Sequence, residues 1–220
     1  MVTLSDTFIT NSFLFAYLAL FGLTLITFIE ALKTSNMRIR HILNLETSVS
    51  LIAGFVYSIF YDMLSHNRLK LEKVTEYRYM DWAITTPMLL LVFMLFLNFE
   101  NKAEVHFTRY IIVIIFNYLM LTAGYLGETK QIKKNKGGII GFIAYFTMIA
   151  IIWYYFIHNK PYILHNIILF VIFTSVWALY GVAYYLNTKP KNIMYNGLDV
   201  ISKAMFGIFI WLYYGHVVSF

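Results

Sequence analysis

Residues 197–215 read GLDVISKAMFGIFIWLYYG, an apolar run that contains two opposite charges, Asp199 and Lys203. Because these residues are four positions apart, a helix would place both side chains on one face. The run is long enough to cross a bilayer, where an ionisable side chain is costly and usually marks a functional site. For Asp199 and Lys203 alone, the alternative is a buried ion pair that only orients helices.

A second apolar run, YRYMDWAITTPMLLLVF at 77–93, adds another carboxylate, Asp81, with Arg78 about one turn before it. Two carboxylates available to one lysine favour a functional role over a structural pair. A buried lysine can form an imine with an aldehyde or ketone, and acidic partners would hold that imine in its cationic form. This arrangement suits a permanently bound chromophore better than repeated turnover, so we do not expect an enzyme.

Composition indicates a membrane protein with several spans. Hydrophobic residues make up 60% of the 220 positions and charged residues 13%, a balance unlike that of soluble domains. Each crossing needs roughly 20 apolar residues, and the chain has seven such stretches, at about 10–32, 40–62, 77–98, 107–127, 138–157, 163–186 and 192–217. The connectors are short, the longest being 65–76 and 128–138, so we expect one all-α domain over residues 1–220.

Other kinds of site lack the residues that they need. The sequence has no cysteine, which removes disulfides, thiol nucleophiles and cysteine metal sites. It has no HExxH motif and no phosphate-binding glycine loop, and we expect no metal site. The formal net charge of +6 comes mainly from the connectors, where contact with anionic lipid head groups explains it without a nucleic-acid partner.

Two distant motifs carry a resemblance to microbial rhodopsins. RYMDWAITTP, at 78–87, is similar to the third helix of that family, and DVISK, at 199–203, is similar to the seventh. The similarity extends over all seven segments in order. It implies a seven-transmembrane-helix bundle of the microbial rhodopsin type with all-trans retinal covalently bound to Lys203 as a protonated Schiff base. It further implies that Asp81 and Asp199 form the counterion, that Arg78 organises water and charge on the extracellular side, and that Thr85 accompanies Asp81 as in proton pumps.

The orientation in the membrane is predicted differently by charge and by resemblance. The connectors on the amino-terminal side carry more lysine and arginine than those on the other side, which by the positive-inside rule places the amino terminus in the cytoplasm. The resemblance implies an extracellular amino terminus, and this is our expectation.

The resemblance also implies a retinal pocket. Its predicted wall consists of Trp82, Thr86, Leu89, Asn117, Met120, Gly124, Met148, Trp177, Tyr180 and Tyr184. Trp82, Trp177 and Tyr184 would sandwich the polyene, and the Tyr180 hydroxyl would support Asp199. Without the resemblance, a stripe of Trp and Tyr is ordinarily membrane packing or an interfacial belt. The chain departs from the commonest family pattern at Gly141, Gly181 and Tyr184, which loosens the predicted pocket.

Polar residues flank the predicted chromophore on both sides. The position at which outward proton pumps of the family place a carboxylic acid on the third helix is Val92, which cannot return a proton. Glu46, in the second segment, is a candidate for a displaced proton donor, a cation-attracting gate or a helix-end carboxylate. Asn192 and Asn196 continue the face of Lys203 at helical spacing and either line an ion path or bridge helices.

These features rank three activities. A light-gated channel for small monovalent cations comes first, because the proton donor of the third helix is absent while polar residues line both halves of the path. A glutamate in the second helix and an asparagine near the lysine also resemble channelrhodopsins. The compact loops and Lys/Asn/Ile-rich composition are similar to rhodopsins of large DNA viruses, one group of which is regarded as light-gated cation channels. A light-driven outward proton pump comes second and a sensory photoreceptor third. Expected partners are membrane lipids, the transported cations or protons and, as an open alternative, further copies of the chain, in a host cell membrane if the protein is viral.

Overall fold

The computed structural model describes residues 5–101 and 103–215, which form seven helices long and apolar enough to cross a membrane. They are α1 (Asp6–Lys33), α2 (Met37–Ser65), α3 (Leu71–Phe99), α4 (Phe107–Glu128), α5 (Lys134–His158), α6 (Leu164–Tyr184) and α7 (Thr188–Tyr214). No strand occurs in these two described ranges. The prediction of an all-α bundle with seven membrane segments is confirmed.

The helix ends differ from the predicted segments. The third helix begins at Leu71, although its apolar run begins at about 77, and its first turns contain polar and charged residues. The fifth helix begins at Lys134. The two connectors predicted to be the longest are therefore only 66–70 and 129–133. The end of the seventh predicted segment, 216–217, lies outside the described residues.

The central helices are α3 and α7. Buried residues make up 67% of the most apolar stretch of α3 and 56% of that of α7, compared with 28% in α4. On the outer helices, large apolar side chains such as Phe15, Leu18 and Leu25 point away from the bundle, as expected for surfaces that face lipid. The charged residues of both sequence motifs therefore lie on the two most enclosed helices.

The seventh helix is irregular around its lysine. Residues Val200–Met205 form a π-helical turn, with α-helix on both sides of it. Single π-helical turns inside α-helices are rare and are frequent at functional sites. A second π-helical turn, Tyr154–His158, ends α5.

Candidate functional site

The three charged residues of the sequence motifs meet in the interior. The Nζ atom of Lys203 donates a hydrogen bond to Asp81 Oδ2 at 3.0 Å and lies 3.6 Å from Asp199 Oδ1. None of the three residues is more than 3% exposed. Charges this deep are stable only when they are paired and hydrogen-bonded. The Nζ atom also stands in for the imine nitrogen that a bound aldehyde would form here.

The two carboxylates have different surroundings. Asp199 accepts hydrogen bonds from Tyr57 at 2.7 Å, from Tyr180 at 2.6 Å and from Trp82 Nε1 at 3.3 Å. Asp81 Oδ2 has only Lys203, and its Oδ1 atom has no hydrogen-bond partner within the described part of the chain. Hydrogen bonds to a carboxylate favour its ionised form. Asp199 therefore has three donors that can stabilise a negative charge, whereas Asp81 has one.

The guanidinium of Arg78 connects this site to the amino-terminal side of the bundle. It lies 3.6 Å from Asp199, donates to Tyr57 Oη at 2.6 Å, and donates to the amide oxygens of Asn192 at 3.4 Å and of Asn196. The Asn196 amide in turn donates to Ser12 on α1 at 2.7 Å. Arg78 is only 1% exposed. The predicted stripe of asparagines thus faces the bundle and binds the arginine.

The predicted Thr85 binds the backbone of Asp81 and not its carboxylate. Thr85 is fully buried, and its hydroxyl donates to the backbone carbonyl oxygen of Asp81 at 3.0 Å. This bond to the preceding helical turn is common for threonine. It leaves the carboxylate of Asp81 without a hydroxyl donor from Thr85.

A cavity begins at Lys203 and runs between α3, α4, α5, α6 and α7. Its empty volume is about 800 Å³, which includes the space at its open side. Eight of the predicted wall residues line it, namely Trp82, Thr86, Leu89, Met120, Gly124, Trp177, Tyr180 and Tyr184. Asn117 and Met148 are not among the residues that line it. Asn117 donates to Thr86 Oγ1 at 2.9 Å from behind the wall, and Met148 is buried in the apolar core.

Glycines shape this cavity. A Cβ atom on Gly124 would lie 2.6 Å from Tyr79 Oη, so the glycine admits that ring. A Cβ on Gly137 would lie 2.6 Å from a backbone carbonyl oxygen of α4, so this glycine allows α4 and α5 to approach. At Gly141 the nearest atom would be 3.7 Å away, which leaves room on the wall. The predicted loosening is therefore seen at Gly141 but not at Gly181, where the ring of Phe142 occupies the space that a Cβ atom would need.

Several residues of the site were missed by the sequence analysis. Tyr57 binds both Asp199 and Arg78, and Ser202 lies 2.8 Å from the Tyr180 hydroxyl. The cavity is also lined by Tyr79, Leu121, Gly137, Gly138, Phe142, Tyr145 and Tyr195. The glycine pair at 137–138 was the one available signal, because small residues in membrane helices indicate close helix contact.

The residues around the cavity fit a long apolar aldehyde bound to Lys203. The wall is aromatic and apolar apart from the groups near Lys203, as a polyene requires. The lysine lies on the wall and is surrounded by acidic groups that would stabilise a cationic imine. The unpartnered Oδ1 atom of Asp81 is a further acceptor at this end of the cavity. Retinal, which the resemblance implies, meets each of these requirements.

Glu46 is the one predicted path residue that lies away from this network. It is fully buried in α2, its Oε1 atom accepts a weak hydrogen bond from Ser50 at 3.5 Å, and its Oε2 atom has no partner among the described residues. Its carboxyl group lies against Gly207 of α7, which is one helical turn beyond Lys203. Since Asp199 is one turn before Lys203, Glu46 and Asp199 lie on opposite sides of the lysine.

Comparisons of the sequence and of the structure with known proteins all point to rhodopsins. A family model described as bacteriorhodopsin-like protein matches residues 7–217. The crystal structure of viral rhodopsin OLPVRII is 40% identical, with a TM-score of 0.89 over 96% of this chain and 99% of that one. The blue light-absorbing proteorhodopsin from Med12 is 25% identical, with a TM-score of 0.75 over 93% of this chain and 95% of that one. The green-light absorbing proteorhodopsin of Gamma-proteobacterium EBAC31A08 is 29% identical over 153 residues, which span 62% of this chain and 60% of the length of that relative.

The family match extends over almost the whole chain, and its seven spans make it a multi-pass integral membrane protein. Rhodopsins of this family bind retinal through a lysine Schiff base, in agreement with the chromophore predicted from the sequence. The chain belongs to the bacteriorhodopsin-like family of retinal-binding membrane proteins.

Proposed function

We propose that the protein moves protons across the membrane in response to light, from the side of Glu46 to the side of Arg78, with retinal bound to Lys203. The observation that carries this proposal is the position of Lys203 between two different carboxyl groups. Asp81 accepts a hydrogen bond from the Nζ atom of Lys203 at 3.0 Å. The carboxyl group of Glu46, on α2, lies beside Gly207, which is one turn beyond Lys203 on α7. A nitrogen between an acceptor and a donor can pass a proton in one direction.

Retinal, when bound, supplies light absorption and an isomerisation that changes the direction in which the Lys203 nitrogen presents its proton. The chain's own residues then determine where that proton goes. Asp81 is the acceptor, because its Oδ1 atom has no partner in residues 5–101 and 103–215 and its Oδ2 atom has only the lysine. Asp199 remains an anion, because three hydrogen-bond donors and Arg78 stabilise its charge.

Return of a proton to the nitrogen falls to Glu46. Val92 occupies the family's donor position on α3, and its side chain is buried and carries no proton. Glu46 has no cation within hydrogen-bonding distance among the described residues, and an unpaired ionised carboxylate in such a place costs far more than a carboxylic acid. It can therefore hold a proton on its own side of Lys203 and give it up when the lysine nitrogen lacks one.

Proton transfer fits the geometry better than cation flow, although the sequence ranked a cation channel first. The guanidinium of Arg78 is held by a carboxylate, a tyrosine and two asparagines, among the polar residues that link the lysine site to the amino-terminal side. A fixed positive charge opposes the passage of metal cations. A proton does not have to pass the arginine as an ion, because it can be released by a neighbouring group.

The second candidate remains a light-gated channel for monovalent cations. It is favoured by the polar residues on both sides of Lys203, which are Asn192 and Asn196 on one side and Glu46 and Ser50 on the other. For either activity we propose that the Arg78 side, where α1 begins, faces the outside of the cell. The 40% identity to a viral rhodopsin supports a host cell membrane as its location.

Photocurrents distinguish the two candidates. We expect a stationary current that keeps its direction at all voltages, persists without sodium or potassium, and continues against a proton gradient. The matched control is Asp81→Asn, which removes the acceptor and should abolish the stationary current while the protein stays coloured. A current that reverses at the equilibrium potential of sodium or potassium means a channel and refutes the pump.

A further inference from the structure

We propose that Gly207 is a positioning residue: the absence of a side chain there creates the seat in which the Glu46 carboxyl group lies one turn from Lys203, and this seat controls how fast the lysine nitrogen regains its proton. The inference rests on the proposed role of Glu46 as the internal donor. It assigns a function to a glycine that carries no chemistry of its own.

The contacts of Gly207 show that Glu46 occupies the space of the missing side chain. A Cβ atom on Gly207 would lie 2.7 Å from Glu46 Oε1 and 3.0 Å from Glu46 Cγ. It would also lie 2.5 Å from Leu23 Cδ2. Distances of this size are shorter than carbon atoms tolerate, so both side chains would have to move. The glycine thus admits one polar and one apolar side chain.

Hydrogen bonds hold the Glu46 carboxyl group only weakly. Its sole partner among the described residues is the Ser50 hydroxyl, at 3.5 Å, which is at the limit of a hydrogen bond. Its second oxygen is buried without a partner. Its position is therefore set by the shape of the seat, and a methyl group at position 207 would displace it.

The seat matters because of its place on α7. Asp199, Lys203 and Gly207 follow at intervals of four residues, and the π-helical turn Val200–Met205 lies between the first and the last. Glu46 is thus held next to the face of α7 that carries the lysine. Proton transfer is sensitive to position, since a shift of about 1 Å in a reacting group can cost on the order of a hundredfold in rate.

The alternative role for Gly207 is close packing of α1 against α7 through Leu23. One double variant separates these roles. In Gly207→Ala with Leu23→Ala, the apolar clash is relieved and the displaced glutamate remains.

The matched control is Gly197→Ala on the same helix, where a Cβ atom would meet nothing within 4 Å. Both alanine variants should fold and keep their colour, because the atoms that clash at position 207 are the ends of flexible side chains and not backbone. The infrared band of the protonated Glu46 carboxyl group in the dark, identified by its loss in Glu46→Gln, reports the seat directly. The recovery of visible absorption after a flash, measured over a range of bulk pH, reports its consequence.

We expect Gly207→Ala to shift the infrared band and to slow recovery by on the order of tenfold or more. Its recovery should also follow the bulk proton concentration, because the proton would now come from water. Gly197→Ala should change neither property, and Leu23→Ala should not restore the rate in the Gly207→Ala background. The proposal is overturned if Gly207→Ala behaves like Gly197→Ala, or if Leu23→Ala restores the rate in the Gly207→Ala background.

The same measurements keep this proposal apart from the proposed function. If Glu46→Gln recovers at the normal rate, Glu46 is not the donor, and the control of the rate by the seat fails together with that role. If Glu46→Gln is slow and Gly207→Ala is not, the donor role stands and only the role of Gly207 is wrong. The infrared band in the dark tests the seat itself in either case, without any transport.

Discussion

Replacing Lys203 with alanine should remove both the colour and a large part of the stability of the site. An imine needs the primary amine, so the variant should not form a visible band when retinal is added. The protein without retinal should also lose stability. The Nζ atom of Lys203 lies 3.0 Å from Asp81 and 3.6 Å from Asp199, and all three residues are buried. Removing one member of a buried ion pair costs about 3–5 kcal/mol.

Most of that cost should fall on Asp81. Without the lysine, Asp199 keeps Arg78, Tyr57, Tyr180 and Trp82, whereas Asp81 loses its one hydrogen-bond partner among the described residues. Adding Asp81→Asn to Lys203→Ala removes the unpaired charge and should recover about half or more of the lost 3–5 kcal/mol. Adding Asp199→Asn is the matched control, and it should recover nothing because Arg78 would lose its carboxylate.

Denaturant unfolding in detergent micelles, followed on the four proteins without retinal, measures these differences. The visible spectrum after addition of retinal measures attachment. A visible band in Lys203→Ala would show that another group holds the chromophore. If Asp199→Asn restores stability and Asp81→Asn does not, Asp199 and not Asp81 is the carboxylate that depends on Lys203.

Three further predictions concern colour, packing and topology. Asp81→Asn should shift the visible absorption to longer wavelength, because one of the two anions that stabilise the positive charge on the nitrogen in the ground state is lost; an unchanged spectrum would contradict this. Gly137→Ala should prevent folding or retinal uptake, since its Cβ would lie 2.6 Å from a backbone oxygen of α4, whereas Gly141→Ala, with 3.7 Å of space, should stay coloured. In this cysteine-free chain, Gln131→Cys should react with a membrane-impermeant maleimide on intact cells and Asn159→Cys should not, and the reverse result would place the amino terminus inside.

The sequence alone was sufficient to predict the seven helices and the burial of their charged residues. In a bilayer every backbone group must find its hydrogen bond within the segment, so an apolar run of sufficient length becomes a helix. Helical periodicity then places Asp199 and Lys203 on one face without any knowledge of the fold. The helix ends were less predictable, as Leu71 shows, because the helix continues into polar residues that the apolar pattern does not mark.

Contacts between distant helices could not be read in the same way. Tyr57 and Asp199 are 142 residues apart, and their hydrogen bond depends on how α2 is rotated against α7. In the sequence, Tyr57 is one of 18 tyrosines in a protein rich in aromatic residues, with nothing to distinguish it. The partner of Asn117 was equally hidden, since its amide donates to Thr86, a residue of the cavity wall on another helix. The π-helical turn at Lys203 likewise has no sequence signal that we recognised.

The surroundings of the two carboxylates explain how similar side chains can have different tasks. In the sequence, Asp81 and Asp199 are equivalent, as each is an aspartate in an apolar helix. In the structure, three side-chain donors and Arg78 surround Asp199, whereas Asp81 has only the Lys203 nitrogen among the described residues. In the proposed mechanism, the group that stays charged is thus surrounded by donors, and the group that changes its charge is left with one. The same reasoning applies to Glu46, whose carboxyl group is held by shape and by one weak hydrogen bond, so that its proton can leave without breaking a network.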